Sequence, residues 1–72
     1  MLGKIAVRTF ESPPFITGNG YGLRISLENE INVFLDTLDP RHVLDLTFQL
    51  QTVDKYSEQS IYLATVTYRI NT

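Results

Sequence analysis

Four arginines, at positions 8, 24, 41 and 69, are the side chains best equipped for chemistry in this sequence. Each carries a planar fork of N–H donors that grips phosphate or carboxylate through two bonds at once. Between Arg8 and Arg24 lies "GNGYG", Gly18 to Gly22. Its glycines let the chain adopt positive φ and approach a ligand closely, so successive N–H groups can cradle an anion. A helix is expected a few residues further on, and the donors at a helix N-terminus favour phosphate. Phe15 and Tyr21 add aromatic surface on which a base can stack or a partner can anchor. The candidate ligand-binding set is therefore Arg8, Phe15, Gly18, Asn19, Gly20, Tyr21, Gly22 and Arg24. A plainer reading stands beside it. Scattered arginines are mostly solvated or paired with acids, and glycines gather at loop tips. No Gly-Lys-Ser or Gly-Lys-Thr follows, so this is no P-loop, and the glycine spacing is not the dinucleotide fingerprint.

Resources for catalysis are thin. Cysteine is absent, which excludes disulfides, thiolate zinc sites and a cysteine nucleophile. The one histidine, His42, follows Arg41 in the turn after the expected helix and lacks an orienting or nucleophilic companion. A capping or surface role suits it better. Glu28, Glu30 and Asp45 read as solvation and dipole complementarity. Tyr62 and Tyr68 read as core-face residues with their hydroxyls at a sheet margin. No paired-carboxylate or Ser-His-Asp pattern is present, so we expect no catalytic residues, no metal and no cofactor.

The 72 residues make one domain, spanning 1–72. A domain of this size buries only about 60% of its unfolded surface and is marginal. Without disulfides or a metal cluster, a homo-oligomer is the natural way to bury more. Net charge is −2, the wrong sign for a general nucleic-acid binder. No apolar run approaches a membrane span, and Lys4 and Arg8 interrupt any signal-peptide core. We read a cytoplasmic protein with no membrane partner.

These side chains must be positioned by few elements. "KIAVRTF" (Lys4–Phe10) reads as a strand stopped by Pro13 and Pro14. "SLENEINVFLDTLDP" reads as a helix, with Ser26 as N-cap and an apolar stripe of Leu27, Ile31, Phe34, Leu35 and Leu38. "HVLDLTFQLQTV" alternates, with Leu44, Leu46, Phe48 and Leu50 on one face. "IYLATVTYRI" returns as its hairpin partner after a polar loop. The order predicts an α+β fold. A single small βαββ domain would pack one helix on a three-stranded sheet, mixed or antiparallel, with a fourth short strand if Leu23–Ile25 is extended. A crossover would make the first two strands parallel. Ile5, Val7, Ile61 and Leu63 would share the face left uncovered. The connection from Glu11 to Ser26 is long for so small a domain, yet keeps Phe15, Ile16, Tyr21 and Leu23. It should pack on the domain or on a second subunit with its glycine tip free.

The helix motif and strands carry a resemblance. Glu28, Glu30, Ile31, Asn32, Phe34 and Leu35, then Val43 and Asp45, resemble a family of very short sporulation-associated proteins of Gram-positive spore formers and their phages. The match covers roughly the last two-thirds of the chain, and "ESPPFITGNGYG" is an insert relative to it. The resemblance implies the βαββ fold and a bacterial or phage origin, and it brings no catalytic residues. Two functional expectations follow. One is a non-catalytic oligomeric protein that sequesters a small anionic, nucleotide-like signal in a pocket made by the loop or between subunits, in a phage setting a host defence messenger. The other is a protein–protein module, or a sporulation-associated accessory protein, that docks on and inhibits or scaffolds a host protein. An enzyme is the least favoured reading.

Overall fold

The structure, a computed structural model, describes residues 3–70. It is a small α+β domain in which one helix packs on a four-stranded antiparallel sheet. The elements run β1 (Lys4–Glu11), β2 (Phe15–Ile16), α1 (Tyr21–Leu35), a 3-10 turn (Pro40–His42), β3 (Val43–Asp54) and β4 (Gln59–Ile70). β4 is the centre of the sheet. It pairs with β1 through Leu63–Ile70, with β2 through Gln59 and Ser60, and with β3 along almost its whole length. A strand has two edges, and β3 occupies one of them. β1 and β2 therefore lie end to end along the other. β1 and β3 run in the same direction but are not neighbours, because β4 inserts between them. This corrects the expected parallel pairing. The two long strands form a hairpin, and the second of them takes the central place.

The joint between β1 and β2 explains the long connection. At Ser12 the chain turns toward Pro13 and Pro14, and a regular ladder would lose its acceptor there. Ser12 repairs the gap. Its N–H donates to the Tyr62 carbonyl at 2.9 Å, and its Oγ accepts the Tyr62 N–H at 2.9 Å. Phe15 then turns inward and stacks on Tyr62, with ring centroids 4.9 Å apart. Gly20 lies directly under the Phe15 ring, so a Cβ there would collide with it. Thr17 ties the tip to the β3–β4 turn: its N–H and Oγ1 both donate to the Glu58 carbonyl, at 2.8 Å each, and Oγ1 lies 2.6 Å from Ser60 Oγ. The connection is thus packed on the domain, and the glycine tip at Gly18 is exposed.

α1 is capped six residues before Ser26, more than one and a half turns earlier. Ser26 sits inside the helix, and Gly20 is the N-cap without a side-chain bond. The apolar stripe extends back to Leu23, and an Arg24–Glu28 ion pair at 3.0 Å braces the added turn. Leu23–Ile25 is accordingly helical; the fourth strand is Phe15–Ile16 instead. The core consists of Phe10, Leu27, Ile31, Ala64 and Val66, flanked by Phe34, Leu35, Val43, Tyr62 and Tyr68. Ile5, Val7, Ile61 and Leu63 do fall on the face opposite the helix.

Two substitutions should weigh the joint. Ser12→Ala leaves the Tyr62 N–H without its acceptor and should cost about 1–3 kcal/mol. Phe15→Ala empties the space between Gly20 and Tyr62 and should cost about 3 kcal/mol or more. Urea unfolding followed by circular dichroism measures both.

Candidate functional site

Arg8 lies on the helix side of β1, opposite Val66 of the ladder. Its guanidinium sits 5.1 Å from the Phe10 ring centroid and 5.0 Å from that of Phe34. The two rings are themselves 5.6 Å apart and tilted. Cation–π attraction and the buried aromatic stems hold the arginine across them. Arg8 forms no ion pair among the described residues. Around it opens a cleft of about 610 Å³ between β1 and the helix, lined also by Asn29, Glu30, Val33 and Thr37. The Thr37 hydroxyl is already spent on the Phe34 carbonyl at 2.6 Å. Arg8, Asn29 and Glu30 are exposed and supply the cleft's polar groups.

Arg24 occupies the other flank of the helix. It is bonded to Glu28 through Nε and lies 5.7 Å above the Phe48 ring. Arg24, Glu28, Ile31 and Asn32 face Leu46 and Phe48 across a groove of about 440 Å³. The chemistry here is already compensated: one acid neutralises the one base.

The glycine stretch forms a third location. Gly18 has φ +96°, the left-handed region that favours glycine. Asn19 donates its N–H to the Ile16 carbonyl at 2.9 Å, closing a tight turn. Tyr21 is 73% exposed at the start of the helix, and Gly22 is exposed beside it. Phe15 and Gly20 are buried against each other instead of facing solvent. The loop is anchored at Gln59 and Ser60, six to seven residues along β4 from the partner of Arg8. At about 3.3 Å per residue that is about 20 Å. The structure therefore separates Arg8 from the loop, and separates Arg8 from Arg24 by the width of the helix.

Phe34, Asn29 and Glu30 are residues of the Arg8 cleft that the sequence did not point to. Phe34 reads as stripe and Asn29 as a solvated position. The one signal was Val33, an apolar residue off the stripe, which is 69% exposed at the cleft. No group of three or more His, Asp or Glu residues comes together to hold a metal ion among the described residues. No helix among them is long and apolar enough to cross a membrane.

Two carboxylates titrate unusually. The Arg41 guanidinium, bonded to Asp39 at 2.7 Å, and the Arg41 backbone N–H hold the Asp39 carboxyl well below its usual range. The Ser57 hydroxyl and then the Tyr56 N–H lower Asp54 in the same way, closing the β3–β4 turn. Asp39 caps the 3-10 turn that leads into β3, Asp54 ends β3, and both serve the fold. His42 is half-buried in the 3-10 turn, and its backbone N–H donates to the Asp39 carbonyl at 2.8 Å.

Comparison with protein-family models, with curated proteins and with solved structures finds no match for this chain. The resemblance to the sporulation-associated proteins rests on the residues quoted for it.

A depressed carboxylate stabilises the fold above its unfolded pKa and loses that contribution as pH falls through the folded one. Asp39→Ala should therefore lower Tm at neutral pH. The difference from the parent should shrink as the pH is taken below the ordinary aspartate value of 3.8. Thermal scans of both proteins from pH 7 downward read the convergence.

Proposed function

We propose that this is a non-catalytic binding protein that holds a small anionic molecule with a planar ring in the cleft between β1 and α1. The observation that carries the reading is Arg8. An arginine without a carboxylate partner among the described residues, fixed over two aromatic rings at the mouth of a mainly apolar cleft, is pre-organised for an anion. Its fork keeps its outward donors while the rings prevent it from collapsing onto the surface. A cleft of about 610 Å³ is within the range that takes a nucleotide-sized ligand. Asn29 can donate to and accept from a ring edge, and Glu30 can accept from an exocyclic amine. Two bonds to the anion and two to the ring would fix orientation without a reacting group nearby, which is why the reading is binding and not catalysis.

Of the candidate set read from the sequence, the ligand site so proposed keeps only Arg8. Phe15 and Gly20 are committed to packing, and Arg24 is committed to Glu28. Sequestration of a nucleotide-derived signal is the biological form of the proposal that fits a binding cleft with no catalytic cluster beside it among the described residues.

Titration calorimetry and thermal shift against nucleoside monophosphates, cyclic nucleotides and ADP-ribose derivatives test it. At a hundredfold excess over Kd, a ligand of the folded state should stabilise it by about 2.7 kcal/mol. Arg8→Gln should weaken that binding by about tenfold or more, since each lost charge-assisted bond is worth about 1.5–3 kcal/mol. Asn19→Ala, in the remote loop, should leave it unchanged. A panel with no binder, or a binder indifferent to Arg8→Gln, overturns the reading.

A further inference from the structure

β3 is a 12-residue strand at the edge of the sheet, and both its side chains and its backbone are left open. α1 packs chiefly over β1 and β4. The helix-side residues Leu46, Phe48 and Leu50 of β3 consequently stay 46%, 37% and 54% exposed. The backbone is open at the same residues. Tyr62 uses its N–H and its C=O on Ser12, on the β1 side. In an antiparallel ladder this direction alternates residue by residue, so Ala64 and Val66 also bond toward β1. Leu50, Phe48 and Leu46 stand opposite Tyr62, Ala64 and Val66 on the other side. Their N–H and C=O groups must then point away from the sheet. The Leu46 N–H agrees, since it is taken by the Asp45 carboxylate at 2.9 Å.

Edge strands usually carry protection against pairing, such as lysine, proline or a charge in the middle. β1 has it, in Lys4, Arg8 and Glu11 followed by Pro13 and Pro14. β3 has none of it from Leu46 to Val53, "LTFQLQTV". The molecule is also thin. Its radius of gyration is 14.5 Å, against about 11 Å for a compact chain of this length. Its accessible surface is 5312 Å², about 800 Å² more than a globular monomer of its mass exposes. An area of about 800 Å² is what one partner loses in a standard interface.

We propose that β3 pairs antiparallel with β3 of a second copy of this chain, about a two-fold axis at Phe48. The register follows from the side chains. Leu46 then faces Leu50 of the second copy, and Phe48 faces Phe48. On the opposite face Thr47 meets Gln49, and Asp45 meets the uncharged Gln51. Sliding by one residue would turn the apolar row to the polar face, and sliding by two toward Thr52 would set Leu46 against a threonine. No like charges oppose each other, and each Asp45 releases Leu46 to the new ladder. The groove between Arg24 and Phe48 is then closed by Leu50 of the second copy, which makes two equal pockets at the seam. The uncovered sheet face is a poorer surface for self-association. Its apolar residues are split, Ile5 and Val7 at one end and Ile61 and Leu63 toward the other, with Thr9, Thr65 and Thr47 across the middle. This pairing does not rest on the Arg8 cleft.

Sedimentation equilibrium and native mass spectrometry of the full chain at micromolar concentration test the proposal. The parent should be a dimer. Leu50→Lys and, separately, Leu46→Lys should weaken it by about tenfold or more, with circular dichroism unchanged. Val7→Lys should leave it intact. A single Gln49→Cys should cross-link between copies with a short bis-maleimide, because diagonal neighbours in a ladder lie about 7–8 Å apart. A monomeric parent, a dimer that survives both lysines, a dimer dissolved by Val7→Lys, or no cross-link at Gln49→Cys overturns the pairing.

Discussion

A single α-helix is about 10 Å wide, while strands in a sheet lie about 4.8 Å apart. One helix therefore covers two strands and leaves a third partly bare. Here the two covered strands are β1 and β4, and their facing residues Phe10, Ala64 and Val66 make the core with Leu27 and Ile31. The sheet's third strand in width, β3, keeps its apolar row in water. The cleft on the β1 flank, the groove on the β3 flank and the thin overall shape all come from that one limit of coverage.

Centrality of β4 is the second consequence. A strand with neighbours on both edges satisfies its backbone groups completely, and β4 contains the most buried residues, Ser60, Ala64 and Val66. Keeping it central requires a continuous second edge, yet β1 ends at two prolines. Ser12 bridges the interruption by offering a hydroxyl where a backbone carbonyl is missing. Phe15 then covers Tyr62, and the chain has room to reach the start of the helix. The connection is long because it completes the sheet, adding β2 and the first turn of α1 on the way.

The arginines divide according to what the fold leaves near them. Arg24 and Arg41 find carboxylates within their own elements and become structural. Arg8 has no ion pair among the described residues and lies over two aromatic faces, which hold it in place without quenching its charge. That difference separates a brace from a candidate recognition group, and it depends on the neighbours across the sheet and helix, not on the residue type.

Local periodicity settled the elements. The alternation of Leu44, Leu46, Phe48 and Leu50, the stripe from Leu27 to Leu35, and the prolines after Glu11 each follow from contacts within a few residues, so strand, helix and break could be read directly. Ser26 misled because a good capping residue is tolerated inside a helix once tertiary packing of Leu23 and the Arg24–Glu28 pair favour another turn. Strand order was decided only by the tertiary structure. Whether β3 or β4 lies in the centre depends on which one recruits β1, and that choice is made across some fifty residues of chain, through Ser12 and Tyr62. The separation of Arg8 from the glycine loop, and the bare row on β3, follow from the same long-range choice. Sequence spacing is silent on both, because it records which residues share a face but not what comes to cover that face.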